Sequence, residues 1–599
     1  MKITPTSLTV NQLLGQTNER YIIPPYQRRY SWLERQIGEL IDDISQIESN
    51  DTHLLGSIVC LAGAHVADLN ELEVVDGQQR LTTVSILLVC LKERLQAEGA
   101  AQQSAISDIE KLSVAKSMTG KEAAKIKLDS IDAKDYATLA SGDNALEVEN
   151  KSLAGAFAFV RRWVADTSVE ELKRFWYRLA NQAIVIRLDV SNAKDAFKLF
   201  ETINNRGLRL SHTDIIKNFL LGNAARFGEP QLAYARTNWA KVVVNLDGTD
   251  SDTFFRYYLT AVTNKRVTAG KVVTQFKLLF HTRVKEAKSL PEQHLYDSPD
   301  EFVGEDGDGG DEAQGADNVI LIKHADAAKA VSFKKFVATI VDYSRVYGEI
   351  VRAATGDARI DRHLSNLRMI KAAQTYGFLM HLRVNGCDDK TLRAVLKITE
   401  GFVLRRHICK ERSNETETLF AGMCSIDASD PISSTKAHYR ELCPSDEKFK
   451  EDFANTSFPA NLIERARYCL EQIELAEHSA YAELAVLGGE DVHVEHIIPQ
   501  KIKTHAAKDE FGDWVNYLGP ASEAKHQRYI SRIGNMTLFA GFLNIGATNN
   551  PFSRKKHAYK ESGIKLTQSL CDYSQFKFPQ VEKRSEALAA IAVALWPRP

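Results

Sequence analysis

Between residues 53 and 95 the hydrophobic pattern changes period once. HLLGSIVCLAG (53–63) and ELEVV (71–75) read as strands, the first ending in a turn, whereas Leu81, Val84, Leu87, Leu88, Leu91 and Leu95 recur at helical spacing. A strand, a turn at Asp76-Gly77 and a long apolar helix are therefore predicted in an α/β region. From about 150 to 480 the spacing is mostly helical, as in the stretch opened by SHTD (211–214) and in NLRMIKAAQTYGFLMHLRVN (366–385). The fold class expected is α+β, predominantly helical.

The strongest apolar run, SILLVCLKERL (85–95), falls short of the roughly 20 residues that span a bilayer. The start, MKITPTSLTVNQLLG, lacks the basic residues and apolar core of a signal peptide. These features predict a cytoplasmic protein with no membrane partner.

With 599 residues, 44% hydrophobic and 26% charged, the chain can build three or four domains. Its eight cysteines contain no CxxC pair, which argues against a zinc ribbon or a disulfide framework. The net charge of −2 hides an asymmetry: residues 297–317 hold nine acids and no Lys or Arg, while 501–560 hold ten Lys/Arg against four Asp/Glu. Contact with a polyanion belongs near the C-terminal end. GEDGDGGDEAQGAD (304–317) reads as a linker or loop; as a calcium loop starting at Asp306 it fails, because Asp311 stands where the turn glycine is needed.

VVDGQQRLTT (74–83) carries the first candidate site. A strand that runs into Gly77 and then a helix starting near Gln79 leaves free N–H groups at the turn, where an anion is favoured. Arg80 would add a forked cation, and Gln78 and Gln79 neutral donors. Alternatively Asp76 merely caps the helix and Arg80 is solvated. No Walker A sequence competes for the phosphate role.

Two further stretches bear on this. IIPPYQRRYSWLERQIGELIDDI (22–44) joins a stiff Pro24-Pro25 loop carrying Tyr26, Gln27, Arg28, Arg29, Tyr30 and Trp32 to a helix. That helix is predicted to open with a Ser31-x-x-Glu34 capping box and to bury Leu33, Ile37, Leu40, Ile41 and Ile44. The loop suits stacking and phosphate contact, or its aromatics are core anchors. FETINNRGLRLSHTDIIKN (200–218) predicts a turn at Asn204-Asn205-Arg206-Gly207 followed by a helix capped by Ser211.

Together, PPYQRRYSW, VVDGQQRLTT and FETINNRGLRLSHTDIIKN, in this order, resemble the N-terminal domain of GmrSD-type modification-dependent (type IV) restriction proteins. The resemblance implies a ParB/sulfiredoxin-like fold in which Asp76, Gly77, Gln78, Gln79 and Arg80 handle a nucleoside triphosphate (ATP, GTP or CTP). It also implies that Tyr26, Gln27 and Arg28 line the nucleotide or modified-DNA pocket.

Near the C-terminus, His493-Val-Glu495-His496-Ile-Ile-Pro499-Gln500 precedes Arg532-Ile-Gly534-Asn535 and then Asn544. A strand delivering a carboxylate and a histidine, a hairpin, and a helix with an oxygen ligand suit metal-assisted phosphodiester cleavage. The set resembles an HNH (ββα-metal) nuclease of the kind paired with the N-terminal domain in GmrSD-type enzymes. The resemblance implies His496 as general base, Asn535 as the residue orienting its loop, and Asn544 as a ligand for Mg²⁺ or Mn²⁺. Glu495 stands where many such enzymes carry an Asp ligand. Arg554, Lys555 and Lys556 come directly after, either as phosphate contacts or as a solvated helix face. Arg405-Arg406 in GFVLRRHICKERSNETETLF (401–420) either touch nucleic acid or pair with acids.

The organisation expected is thus a ParB-like NTP-binding and modification-sensing domain (1–225), a helical connector (226–440) and an HNH nuclease domain (441–599). The function expected is NTP-dependent or NTP-regulated, metal-assisted cutting or nicking of modified DNA, with homo-oligomerisation left open. The alternative is a nucleotide-gated DNA-binding switch of ParB type with an idle nuclease domain.

Overall fold

The computed structural model describes residues 3–48, 50–66, 69–142, 148–204, 211–289, 330–426, 429–478, 491–502, 513–541 and 550–599. The chain is α+β and predominantly helical, and it packs as two units, Met1–Arg256 with Thr268–Arg345, and Tyr257–Val267 with Val346–Pro599. The acidic stretch 304–317 lies outside the described residues. Among the described residues no helix is long and apolar enough to cross a membrane.

The first unit is built on a six-stranded mixed sheet. Its strands are β1 (Ile3–Thr9), β2 (Glu19–Ile23), β3 (His53–Val66), β4 (Leu69–Asp76), β7 (Ile126–Leu128) and β8 (Ala183–Val190), in the order β1-β8-β3-β4-β2-β7. A separate antiparallel pair joins β5 (Val114–Lys116) to β6 (Glu122–Ala124). β3 and β4 are antiparallel, and the alternation of Leu72, Val74, Ile58 and Cys60 sends one face into a core closed by Leu81, Val84, Leu87, Leu88, Leu91 and Leu95. These last residues are the apolar stripe of helix Gln78–Ala97, which is joined to β4 through Gly77 alone.

Two local features differ from the pattern reading. The helix after the Pro24-Pro25 loop spans Glu34–Ser45, and Gln36, not Glu34, reaches back to cap an amide, that of Leu33. Ser31 lies two residues before the N-cap position, Leu33, and its N–H donates to Gln79 Oε1; Leu33 stays exposed while Ile37, Leu40, Ile41 and Ile44 are buried. Likewise 366–385 is not one helix: Ala358–Met369 ends and Tyr376–Val384 begins anew. Lys371 adopts φ 60° between them, so that the Ala372 amide closes on the Leu367 carbonyl and Ile370 and Ala372 are buried.

In the second unit, helix Asp389–Ile408 is buried along most of its length. Here the arginine pair has a definite role. Arg405 is fully buried, donating to the carbonyls of Trp596 and Pro444 and to Asp446, and Arg406 donates to Thr416, Leu442 O, Arg412 O and Glu415. Both are therefore spent inside the fold rather than on a polyanion. A short antiparallel pair, β9 (Val492–His496) with β10 (Met536–Ala540), and helix Phe552–Lys560 pack on a core of Ile497, Ile498, Trp514, Phe539 and Tyr559.

Candidate functional site

In the first unit the candidate residues gather where β4 ends. Gly77 takes φ 91°, a left-handed conformation, and a Cβ there would lie 2.5 Å from Ile58 Cγ2. Glycine is thus required twice, by the turn and by packing on β3. Asp76 Oδ1 accepts the Gly77 amide, and the N-cap position is Gly77 itself, which has no side chain to cap the first turn.

The two glutamines serve the neighbouring loop. Gln78 Nε2 donates to Arg28 O (3.3 Å) and Gln79 Nε2 to Arg29 O (3.2 Å), while Gln79 Oε1 accepts from Ser31. Gln27 reciprocates, donating to the carbonyls of Val74 (3.1 Å) and Val75 (2.9 Å). The PPYQRRYSW loop and the DGQQR turn are in this way laced together by five side chain to backbone bonds, and the amides of these glutamines are committed to that lacing. Tyr26 is buried, its hydroxyl on Glu73, which also binds Arg236 at 2.8 Å.

Arg80 is half-buried. Its Nη1 donates to Ser57 O (2.7 Å), and its guanidinium lies against Gly56, where a Cβ would come within 2.8 Å of Nη2. Burial lowers its pKa, with Asp76 opposing. Gly56 sits at φ 116° where the β3–β8 register shifts, so a bulge makes room for the cation. The sequence signal for this was an isolated glycine inside a strand pattern.

Sequence reasoning also missed Lys217. Ser211 caps helix His212–Phe227 by accepting the Asp214 amide, and one turn later Lys217 is buried with its ammonium 2.8 Å from Gln27 Oε1 and 3.4 Å from Asp214 Oδ1. Burial lowers the Lys217 pKa, with Asp214 and Asp76 acting against it. Burial would raise the Asp214 pKa, but Lys217 and Arg28 hold it below its ordinary value. The exposed Arg28 reaches Asp214 at 3.9 Å. Among the described residues, three cations, Arg28, Arg80 and Lys217, thus stand with two carboxylates, Asp76 and Asp214, near the helix N-terminus after Gly77. Such a balance admits a further anion. Asn205, Arg206 and Gly207 lie outside the described residues.

In the second unit His496 ends β9, and Asn535 fixes the loop beyond it. Asn535 is fully buried; its Oδ1 accepts from Ile498 N (2.8 Å), its Nδ2 donates to Ile498 O and Ile530 O (3.0 Å each), and its own carbonyl accepts from Ile497 N (2.9 Å). Gly534 permits this turn, since a Cβ would sit 2.2 Å from Val581 O. Helix Phe578–Leu595 completes the clamp through Ser585, which accepts the Gly534 amide, and Arg584, which donates to the carbonyls of Gly534 and Met536. His526 binds Pro499 O at 2.8 Å on the other side of the loop. Arg584, Ser585 and His526 were not singled out in the sequence.

The His496 ring has the Gln500 amide 3.3 Å from Nδ1, and its pKa is pushed down to about 4, by burial first and then by Lys555 and His526. It is therefore neutral near pH 7, the state in which an imidazole can accept a proton.

Glu495 does not share its surroundings. In the β9–β10 register Glu495 lies opposite Thr537 and His496 opposite Met536, so the two side chains leave the strand on opposite faces. The Glu495 carboxylate is buried on Lys555 Nζ (2.5 Å), and that ammonium also donates to His496 O (2.9 Å). Lys555 is fully enclosed, and Lys556 donates to Tyr573 O, which leaves Arg554 as the exposed member of the basic run. Among the described residues no three His, Cys, Asp or Glu side chains gather as a metal cage; Asn544 lies outside them.

Residues 10–221 match the family model of the GmrSD restriction endonuclease N-terminal domain, and residues 443–591 match that of the GmrSD restriction endonuclease C-terminal domain. A comparison with curated proteins gives no significant match. The first match takes in the laced loop, the DGQQR turn and Lys217, and the second takes in His496, Asn535 and the helix that clamps them; the chain belongs to the GmrSD restriction endonuclease family.

Proposed function

We propose that the protein is a DNA endonuclease of HNH type whose cleavage is regulated by a nucleoside triphosphate and directed at modified DNA. The observation that carries the reading is a histidine at a strand end, with the loop after it locked by a fully buried asparagine. In this reading His496 takes a proton from the water that attacks the phosphodiester. Asn535 keeps the loop from drifting, because displacement of a base by about 1 Å can cost about 10²-fold in rate. Arg554 and His557, exposed on helix Phe552–Lys560, contact substrate phosphates without reading sequence.

A divalent ion, Mg²⁺ or Mn²⁺, would supply charge stabilisation at the scissile phosphate. The described side chains do not form a cage for it, since Glu495 is engaged by Lys555. In the first unit the triphosphate is assigned to the helix N-terminus after Gly77, with Arg80, Arg28 and Lys217 as the cations. The test is cleavage of modified and unmodified DNA with and without ATP, GTP or CTP. Dependence on a modification and on one nucleotide is expected. Equal cleavage in all arms would refute the regulated, modification-dependent part of the reading.

A further inference from the structure

We propose that Glu495 and Lys555 form an internal tether that positions His496, and that neither residue meets metal or DNA. This rests on the reading of His496 as the nuclease base for its catalytic consequence only.

Three observations carry it. Strand parity places the Glu495 carboxylate on the face opposite the His496 ring, the face on which helix Phe552–Lys560 packs. The Glu495 and Lys555 side chains are 11% and 0% exposed, and they meet at 2.5 Å inside the layer between β9 and helix Phe552–Lys560. Finally, the same Lys555 ammonium donates to the carbonyl of His496 itself (2.9 Å). Lys555 therefore joins the helix both to Glu495 and to the residue that bears the imidazole. Phe552, Lys555 and Tyr559 fall on one buried helical face, and the Tyr559 hydroxyl, also enclosed, finds no hydrogen-bond partner among the described residues. A buried ion pair gains little over an apolar pair, but losing one partner strands the other charge. Its use here is geometric, and Lys555 is a positioning residue.

The test uses the full-length protein and the variants Glu495→Gln, Lys555→Met and the double variant Glu495→Met/Lys555→Met. Without metal, each single variant is expected to melt about 10 °C lower and the double variant to recover most of that loss. Below the melting transition, Lys555→Met should lose about 10–100-fold in kcat for plasmid nicking with KM and its salt dependence unchanged. Mn²⁺ alone should bind Glu495→Gln as tightly as wild type. Unchanged melting in the single variants, or weakened Mn²⁺ binding in a normally melting Glu495→Gln, would overturn the proposal. So would a Lys555→Met variant that raises KM and flattens the salt dependence, the mark of a lost phosphate contact. If His496→Ala nicks normally, the nuclease reading fails, while the melting cycle still decides the tether.

Discussion

Replacing Asn535 with alanine removes one side chain and leaves three backbone groups without their partner. The Ile498 N–H loses its acceptor at 2.8 Å, and the carbonyls of Ile498 and Ile530 lose donors at 3.0 Å. Asn535 is 0% exposed and both Ile498 groups are buried with it, while the Ile530 carbonyl is part-buried. A buried group left unsatisfied costs about 1–3 kcal/mol, the amide more than a carbonyl that keeps a second lone pair. Allowing for some relaxation, the loss of stability should be about 3–5 kcal/mol. The backbone bond from Ile497 N to Asn535 O survives, so β9 stays paired and the damage is confined to the loop after His496. Nicking should therefore fall by more than the unfolded fraction explains, even at temperatures where the variant is fully folded. Chemical denaturation gives the stability, and single-turnover nicking of supercoiled plasmid at about 20 °C gives the rate. A loss below about 1 kcal/mol would refute the reasoning, because the clamp would then not hold the loop. Full stability loss with wild-type nicking would separate Asn535 from catalysis.

Other sites give further expected outcomes. Gly77→Ala should cost about 2–4 kcal/mol through its φ of 91° and the Ile58 contact, and Ile58→Ala in the same chain should relieve only part of it, as melting curves will show. Arg80→Ala should weaken nucleotide affinity and phosphate release without unfolding the chain; full turnover in a folded variant would return Arg80 to a packing role. Arg405→Met should destabilise by about 3–5 kcal/mol, since Asp446 and two carbonyls lose their donor, with no change in DNA affinity below its melting transition. The folded His496 pKa, about 4, lies below the unfolded value near 6.5, so the unfolded chain binds more protons between them. Its contribution to stability is therefore complete above about pH 6.5 and lost as pH falls toward 4, and the acid limb of kcat/KM should lie well below 6.5.

Legibility in the sequence depended on how far away each residue's partners lie. The strand, turn and helix over 71–97 were legible because Leu72, Val74 and Val75 precede Gly77, and because the stripe from Leu81 to Leu95 is periodic on its own. The role of Gln78 and Gln79 was not, since an amide at a helix start suits a ligand or a loop equally, and its partners here lie 50 residues upstream. Arg405 was left open between nucleic acid and acidic partners because its acceptor, the Trp596 carbonyl, comes from the far end of the chain. Lys555 carried a local signal that charge counting obscured: it lies between Phe552 and Tyr559 on an apolar helical stripe, which places it inward. Lys217, set in the apolar run IIKNFLL, carried the same signal.

If His496, held by Asn535, is the base of a nuclease, its removal must slow the chemistry without disturbing the fold. The most direct test is nicking of supercoiled plasmid by wild-type protein and by His496→Ala in the presence of Mg²⁺ or Mn²⁺, with circular dichroism and DNA affinity measured on both. The variant should fold and bind DNA as wild type does but nick about 10²–10⁴-fold more slowly. A folded His496→Ala protein that nicks at the wild-type rate would contradict that role.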